Sequence, residues 1–107
     1  MPGRVERSEL ALEDLEEQAT YLAEEASLEV ALRFLEAAEK AFAHLAQMPE
    51  MAPVRQFLNP TLGGLRMWPM PDFPNHLIFY TCREDRIDVV RVLHAKRDIG
   101  SIFDEDA

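Results

Sequence analysis

The first half of the chain carries a helical pattern of apolar residues. Ser8 is suited to cap a helix, because its hydroxyl can accept a hydrogen bond from an unpaired backbone N–H of the first turn. Apolar residues then recur at three- and four-residue spacing, which predicts one apolar stripe along a helix. The stripe consists of Leu12, Leu15, Ala19, Leu22, Ala23 and Ala26. Acidic residues fill the opposite side, namely Glu13, Asp14, Glu16, Glu17, Glu24 and Glu25.

A second helix is predicted between a cap at Ser27 and a break at Pro49, since proline cannot continue a helix. Its apolar positions keep the same period. They are Ala31, Phe34, Leu35, Ala38, Ala41, Phe42, Leu45 and Met48. Very few residues separate the two helices, so residues 8–48 are predicted to form an antiparallel helix hairpin.

The second half of the chain changes to turns and strands. Proline and glycine interrupt residues 49–74, leaving short extended pieces at 55–58 and 65–70. Residues 76–82 and 87–94 read as two apolar strands joined by a charged turn, which predicts an antiparallel hairpin. A further strand is predicted at Arg4–Arg7, and residues 98–103 form a helical turn or a tail segment.

Simple alternation assigns two faces to the last strand. One face would carry Ile87, Val89, Arg91 and Leu93, and the other Asp88, Val90, Val92 and His94. Arg91 then lies among apolar neighbours, so it either extends its charge to solvent or pairs with an acid from the helices.

Together these elements predict one α+β domain over residues 1–107. An N-terminal antiparallel helix hairpin (8–48) packs on a small antiparallel sheet of three or four strands (54–97). An acidic tail (104–107) follows.

Charge narrows the range of functions. The chain has 107 residues, 11 Lys and Arg, 20 Asp and Glu, and a formal net charge of −9. This negative charge disfavours direct binding to nucleic acid over a broad surface, because such binding gains most of its free energy when basic side chains neutralise phosphates. The sequence has no apolar stretch long enough for a membrane span and no signal-peptide core, so we expect a cytoplasmic protein.

The scarce basic residues gather near the end of the last strand, in the segment VRVLHAKRD (90–98). We expect a local positive surface there that suits either an acidic protein or a nucleic-acid partner. The three histidines and Cys82 lack the paired spacing of zinc ligands, and no glycine-rich phosphate loop is present. We therefore expect neither a metal nor a cofactor.

Several segments resemble the RelE/ParE toxin family of type II toxin–antitoxin systems. They are SELALEDL (8–15), YLAE (21–24), LRMWPMPDFPNHLIFY (65–80) and VVRVLHAKRD (89–98). The last two are similar to the ParE branch, in which an Arg-x-Trp-Pro strand precedes an aromatic strand and a final Arg-Val-Leu-His strand. The resemblance covers nearly the whole chain, and its fold agrees with the one predicted above.

The resemblance to ParE implies a toxin of the kind that stabilises plasmids, which stalls DNA gyrase by direct contact and is not itself an enzyme. It also implies a cognate antitoxin, whose contact we expect to be mainly hydrophobic because the toxin is acidic. Exposed Trp, Tyr and Arg most often anchor such contacts. The candidate residues for binding the target or partner are Arg66, Trp68, Phe73, His94, Lys96 and Arg97. Trp68 is equally suited to a place in the core.

The alternative is a RelE-like, ribosome-dependent mRNA endoribonuclease. At positions where that branch implies catalytic groups, this chain has His76, Arg97 and Phe103, and His94 is a further candidate. Phe103 cannot transfer a proton, so the set is incomplete and we expect no catalytic residues. A third possibility is a degenerate member of the family that serves only as a non-toxic binding module.

Overall fold

The computed structural model describes residues 3–55 and 63–104, and it confirms the predicted α+β class. Two helices precede most of a four-stranded sheet. The elements are β1 (Arg4–Arg7), α1 (Glu9–Glu25), α2 (Leu28–Gln47), β2 (Arg66–Met70), β3 (Phe73–Cys82), β4 (Arg86–His94) and α3 (Ile99–Asp104). Of the extended piece predicted at 55–58, residues 56–58 lie outside the described residues, as do residues 105–107 of the predicted acidic tail.

Both predicted helix caps are present. The Ser8 hydroxyl accepts a hydrogen bond from the Ala11 N–H at 3.0 Å, and the Ser27 hydroxyl accepts one from the Val30 N–H at 3.1 Å. Each bond satisfies a backbone donor that the first turn of a helix leaves unpaired. The caps therefore fix where α1 and α2 begin.

The strands lie in the order β1-β4-β3-β2. β3 is antiparallel to both β2 and β4, as predicted, whereas β1 runs parallel to β4. Parallel neighbours need a long crossover between them. The helix hairpin and the strands that follow it provide that length, so one of the three strand pairings departs from the antiparallel expectation.

A β-bulge makes the predicted faces of β4 wrong beyond its middle. Tyr80 pairs with Val89 but Phe79 pairs with Arg91, so Val90 is an extra residue in β4. An extra residue reverses the alternation that follows it. Val92 therefore shares a core cluster with Ile87 and Val89, and Leu93 belongs to the other face.

Each face of the sheet has its own apolar cluster. The cluster beneath α1 and α2, here the helix-side core, includes Phe34, Phe42, Leu45, Ile78, Tyr80, Ile87, Val89 and Val92. The cluster on the opposite face includes Leu65, Phe79, Leu93 and Phe103. Because Phe103 belongs to α3 and its ring lies 4.9 Å from that of Phe79, α3 covers part of this second face.

The apolar stripe predicted for α1 is wrong at three positions. Leu12 is 50% exposed and Ala26 is also exposed, whereas Asp14, assigned to the solvent side, is buried. Asp14 forms a bidentate ion pair with Arg91, which confirms that this arginine pairs with a helix acid. Buried charges need such a partner, and the pair rotates α1 so that Asp14 faces β4.

Two polar side chains of α1 also close the free edge of β4. β1 ends opposite Val89, so the next part of β4 lacks a strand on that side. There the Val92 N–H donates to Asp14 at 3.0 Å, and the Val92 carbonyl accepts from Gln18 at 2.7 Å. The side chains replace the ladder bonds that an edge strand would otherwise leave unmade.

Candidate functional site: a histidine-lined cavity at the end of the sheet

The beginning of β3 and the end of β4 meet beside the second half of α1 and border an open cavity of about 530 Å³. We call it the histidine cavity, because His76 of β3 and His94 of β4 are paired across the sheet and both line it. Its lining comprises Glu17, Gln18, Tyr21, Leu22, His76, His94, Lys96 and Arg97. Helix, sheet and turn thus each contribute polar side chains.

Gln18 determines which nitrogen of His76 carries a proton. The Gln18 side-chain nitrogen donates to the Val92 carbonyl, so its oxygen is the atom that lies 2.7 Å from His76 Nδ1. A carbonyl oxygen only accepts, and therefore His76 Nδ1 donates. In neutral His76 the lone pair is then on Nε2.

His94 has the opposite arrangement. Its Nδ1 accepts a hydrogen bond from the Lys96 backbone N–H at 3.1 Å, so the proton of neutral His94 is on Nε2. The centroids of the two imidazole rings lie 5.1 Å apart, and the rings are nearly perpendicular to each other. Burial is the larger of two causes that lower the pKa of His76 from its ordinary value, and the proximity of His94 is the other.

Backbone hydrogen bonds hold the turn that carries Lys96 and Arg97 at the rim of the cavity. The Ala95 N–H donates to the Asn75 carbonyl at 2.7 Å, and the Arg97 N–H donates to the His94 carbonyl at 2.9 Å. Both cationic side chains are exposed, and neither forms an ion pair with a described residue. Two cations against the single carboxylate of Glu17 leave the cavity positive.

Asp98 does not neutralise these cations, although it follows Arg97 directly. Its carboxylate accepts hydrogen bonds from the Ser101 hydroxyl at 2.7 Å and the Ser101 N–H at 3.3 Å. These bonds lower the pKa of Asp98. The carboxylate thus serves the start of α3.

The structure brings together only part of the predicted binding set. His94, Lys96 and Arg97 line the histidine cavity together with His76 from the alternative catalytic set. Arg66 and Trp68 lie elsewhere, on β2, and are half-buried. Arg66 donates to the Ala52 carbonyl at 2.6 Å and to the Glu50 carbonyl at 3.3 Å, and Trp68 packs against the helix-side core.

Phe73 and Phe103 do not line the histidine cavity. Phe73 is half-buried and packs edge-on against Phe34, which in turn contacts His76 at 4.8 Å between ring centroids. Phe103 is 3% exposed in the cluster beneath α3. Phe73 also lies edge-on to His76, with 6.3 Å between ring centroids, so it packs against this histidine both directly and through Phe34, whereas Phe103 has a packing role. Whether any residue of the predicted binding set contacts a target stays a prediction.

Sequence reasoning missed the contribution of α1 to the cavity, although a signal was present. Gln18 lies three residues after Leu15 and four before Leu22, so it interrupts the apolar stripe with a polar side chain. Asp14 lies one turn before it on the same face. A polar residue within an apolar stripe indicates a buried hydrogen-bond partner. Here the partners are His76 and the Val92 backbone, which distant parts of the sequence supply.

Two further observations concern metal binding and membrane crossing within residues 3–55 and 63–104. No group of three or more His, Cys, Asp or Glu side chains there is arranged to hold a metal ion. In that same part of the chain, none of the helices combines the length and the apolar character that crossing a bilayer requires.

Comparison with known proteins places the chain in a family. A chain described as "Chromosomal ParDE TA system from P. aeruginosa" has a similar structure, with a TM-score of 0.70 and 15% sequence identity, covering 87% of this chain and 96% of that one. A search of curated proteins finds no match. The sequence profile described as "ParE toxin of type II toxin-antitoxin system, parDE" matches residues 5–99. With nearly the whole described chain matched, this protein belongs to the ParE toxin family of type II toxin–antitoxin systems.

Proposed function

We propose that this toxin acts in the cytoplasm by binding DNA gyrase directly and inhibiting it, and that a cognate antitoxin neutralises it. Membership of the ParE family supports the general class. The observation that carries the target-binding part is that half-buried His94 lines one cavity with Lys96 and Arg97, two exposed cations on a turn held by backbone hydrogen bonds. A backbone that is already ordered loses little entropy on binding, which favours the residues that it carries as anchors.

Tyr21 extends this surface onto α1. Its side chain is 62% exposed and lines the same cavity as Arg97. Tyrosine and arginine are enriched among residues that dominate binding energy, because each combines a large flat surface with hydrogen-bonding groups. The histidine cavity and its rim therefore have the composition of a contact site for another macromolecule.

A separate surface suits the antitoxin. Leu28, Leu32 and Leu35 of α2 are 68%, 57% and 37% exposed. Their spacing of four and three residues places them along one side of the helix. An amphipathic segment of an antitoxin can bury such a stripe, and the contact is then mainly hydrophobic and depends weakly on salt. The related P. aeruginosa structure is described as a ParDE system, which agrees with a paired toxin and antitoxin.

A supercoiling reaction with purified gyrase tests the proposed target. Adding the toxin should stop supercoiling and accumulate cleaved DNA, and prior mixing with the antitoxin should restore activity. Gyrase that retains full activity in excess toxin would exclude the target. Failure of the antitoxin to restore activity would exclude the neutralising partner instead.

One observation favours a second function, that of a RelE-like mRNA endoribonuclease acting on ribosomes. His76 and His94 lie side by side near Arg97, with a lone pair on Nε2 of one ring and a proton on Nε2 of the other. A lone pair on Nε2 is the state that a general base requires, and His94 becomes a general acid once both of its ring nitrogens carry protons. The test is a translation reaction: mRNA cut within ribosomes by the wild type, and left intact by His76→Gln and His94→Gln, would support cleavage.

A further inference from the structure

The charge of the histidine cavity is unusual for this chain. Acidic residues outnumber basic ones by 20 to 11, and most described basic side chains face a carboxylate. The ion pairs are Arg4–Asp85, Arg7–Glu39, Lys40–Glu36, Arg83–Asp88, Arg86–Asp88 and Arg91–Asp14. Lys96 and Arg97 are not among these pairs although acids are abundant, and unlike Arg33 and Arg66, which also form no ion pair with a described residue, they line one cavity together.

The polar groups at this cavity are mainly donors. Lys96 and Arg97 carry N–H groups and no acceptor, and neutral His94 has its proton on Nε2. The backbone N–H groups of residues 95–97 already donate to Asn75 or His94, so the side chains remain for a ligand. Several donors around one concavity favour a ligand with several acceptor oxygens and negative charge.

We infer that the histidine cavity binds a phosphate group, with Lys96, Arg97 and His94 as donors. A tetrahedral oxyanion accepts from several directions, and arginine and lysine are the residues that most often hold phosphate. A single phosphate site is compatible with the chain's net charge of −9, which disfavours only extended contact with nucleic acid. The inference holds whichever macromolecule the toxin inhibits.

His76 makes this binding depend on pH. When neutral it offers only a lone pair on Nε2, and when protonated it becomes a further donor. Burial and His94 lower the pKa of His76, and a bound anion would oppose both effects. The charged groups around it are Glu17 on α1, His94 on β4, and Lys96 and Arg97 on the turn. Glu17 is the only acid among them. Protonation of His76 therefore adds positive charge with little opposing it, and the affinity for an anion should rise as pH falls below the ordinary histidine value of 6.5.

The phosphate can come from two sources, either free phosphate or the backbone of a nucleic-acid strand. Inorganic phosphate and a short single-stranded DNA serve as the two probes. Sulfate is a third, because its charge does not change over the pH range in which histidine titrates. Chloride at matched ionic strength measures the effect of salt alone.

Imidazole nitrogen NMR of the full chain reports on the site directly. The free protein should show His76 protonated on Nδ1 and His94 on Nε2. Sulfate and phosphate should shift both residues saturably, whereas His44, an exposed histidine on α2, should not move. Tighter binding by the DNA would identify a strand as the source, and equal or weaker binding would identify free phosphate.

Variants make the assignment specific. Arg97→Gln should weaken sulfate binding roughly fivefold, the loss typical of one exposed charge contact. Glu17→Gln should strengthen it, since the opposing carboxylate is removed. Arg33→Gln, a matched charge change on the exposed side of α2, should have no effect. The inference is overturned if shifts do not saturate, if His44 moves equally, or if Arg97→Gln binds sulfate as Arg33→Gln does.

Discussion

Asp14 and Arg91, 77 residues apart in the chain, form a two-pronged ion pair that joins α1 to β4. Arg91 Nε lies 2.8 Å from Asp14 Oδ2, and Arg91 Nη2 lies 2.9 Å from Asp14 Oδ1. The side chains are 15% and 6% exposed. Because Asp14 Oδ2 also accepts from the Val92 N–H, one carboxylate holds both the bulged strand and its free edge against the helix.

The first prediction concerns this pair. Asp14→Asn should lower the free energy of unfolding by about 3 kcal/mol, because removing one partner of a buried pair leaves the other charge without compensation. Denaturant unfolding followed by circular dichroism measures the change. The control is Glu13→Gln, which removes the same charge from an exposed neighbouring position and should change stability by no more than about 0.5 kcal/mol. Equal effects of the two substitutions would show that the ion pair does not stabilise the fold.

The second prediction concerns Tyr80. Its hydroxyl donates to the Pro49 carbonyl at 2.8 Å, and burial raises the pKa of Tyr80 to about 12. The ordinary value is 10, so the unfolded chain loses this proton first as pH rises. The contribution of the neutral phenol to the free energy of unfolding is fully present below pH 10 and should be lost as pH rises towards 12. In Tyr80→Phe, this part of the fall in unfolding free energy should be absent.

Phenolate absorbance checks the same shift independently. The chain has two tyrosines, so Tyr21→Phe leaves Tyr80 as the only one. Its titration should occur near pH 12. Titration at the ordinary value of 10 in the folded protein would contradict the effect of burial.

The third prediction concerns the exposed stripe of α2. Leu32→Ser should weaken antitoxin binding about tenfold, because an apolar anchor is lost from the contact. Stability should change little, since Leu32 is 57% exposed. Binding measured by calorimetry with the protein encoded beside the toxin gene is the test, with Arg33→Gln as the control. The wild-type affinity should also change little between low and moderate salt, and a collapse over that range would show that charge dominates the contact.

The fourth prediction concerns the rim of the histidine cavity. Arg97→Gln should raise the toxin concentration needed for half-inhibition of gyrase about tenfold, as expected for an anchoring arginine. Arg33→Gln has the same change of charge on another surface and should inhibit as the wild type does. If both variants inhibit normally, gyrase binding does not use this turn. Circular dichroism of each variant confirms that the fold is retained.

Local features of the sequence predicted the helices and the antiparallel strands. Ser8 and Ser27 could be identified as caps because a helix begins where a side chain satisfies its first N–H groups. The β3–β4 hairpin could be identified because two apolar strands flank a short polar turn. Similarity to the ParE branch added the family, which the match over residues 5–99 confirms.

Long-range contacts decided the rest. The extra residue Val90 reverses the faces of β4, and no local signal distinguishes it from its apolar neighbours. The assignment of Asp14 depended on Arg91, and the proton position on His76 depended on Gln18, 58 residues earlier. The sequence by itself therefore determined which segments form helices and strands, since those preferences arise within a few residues. Only the tertiary structure decided which polar side chains are buried, paired and gathered in one cavity, because their partners come from distant parts of the chain.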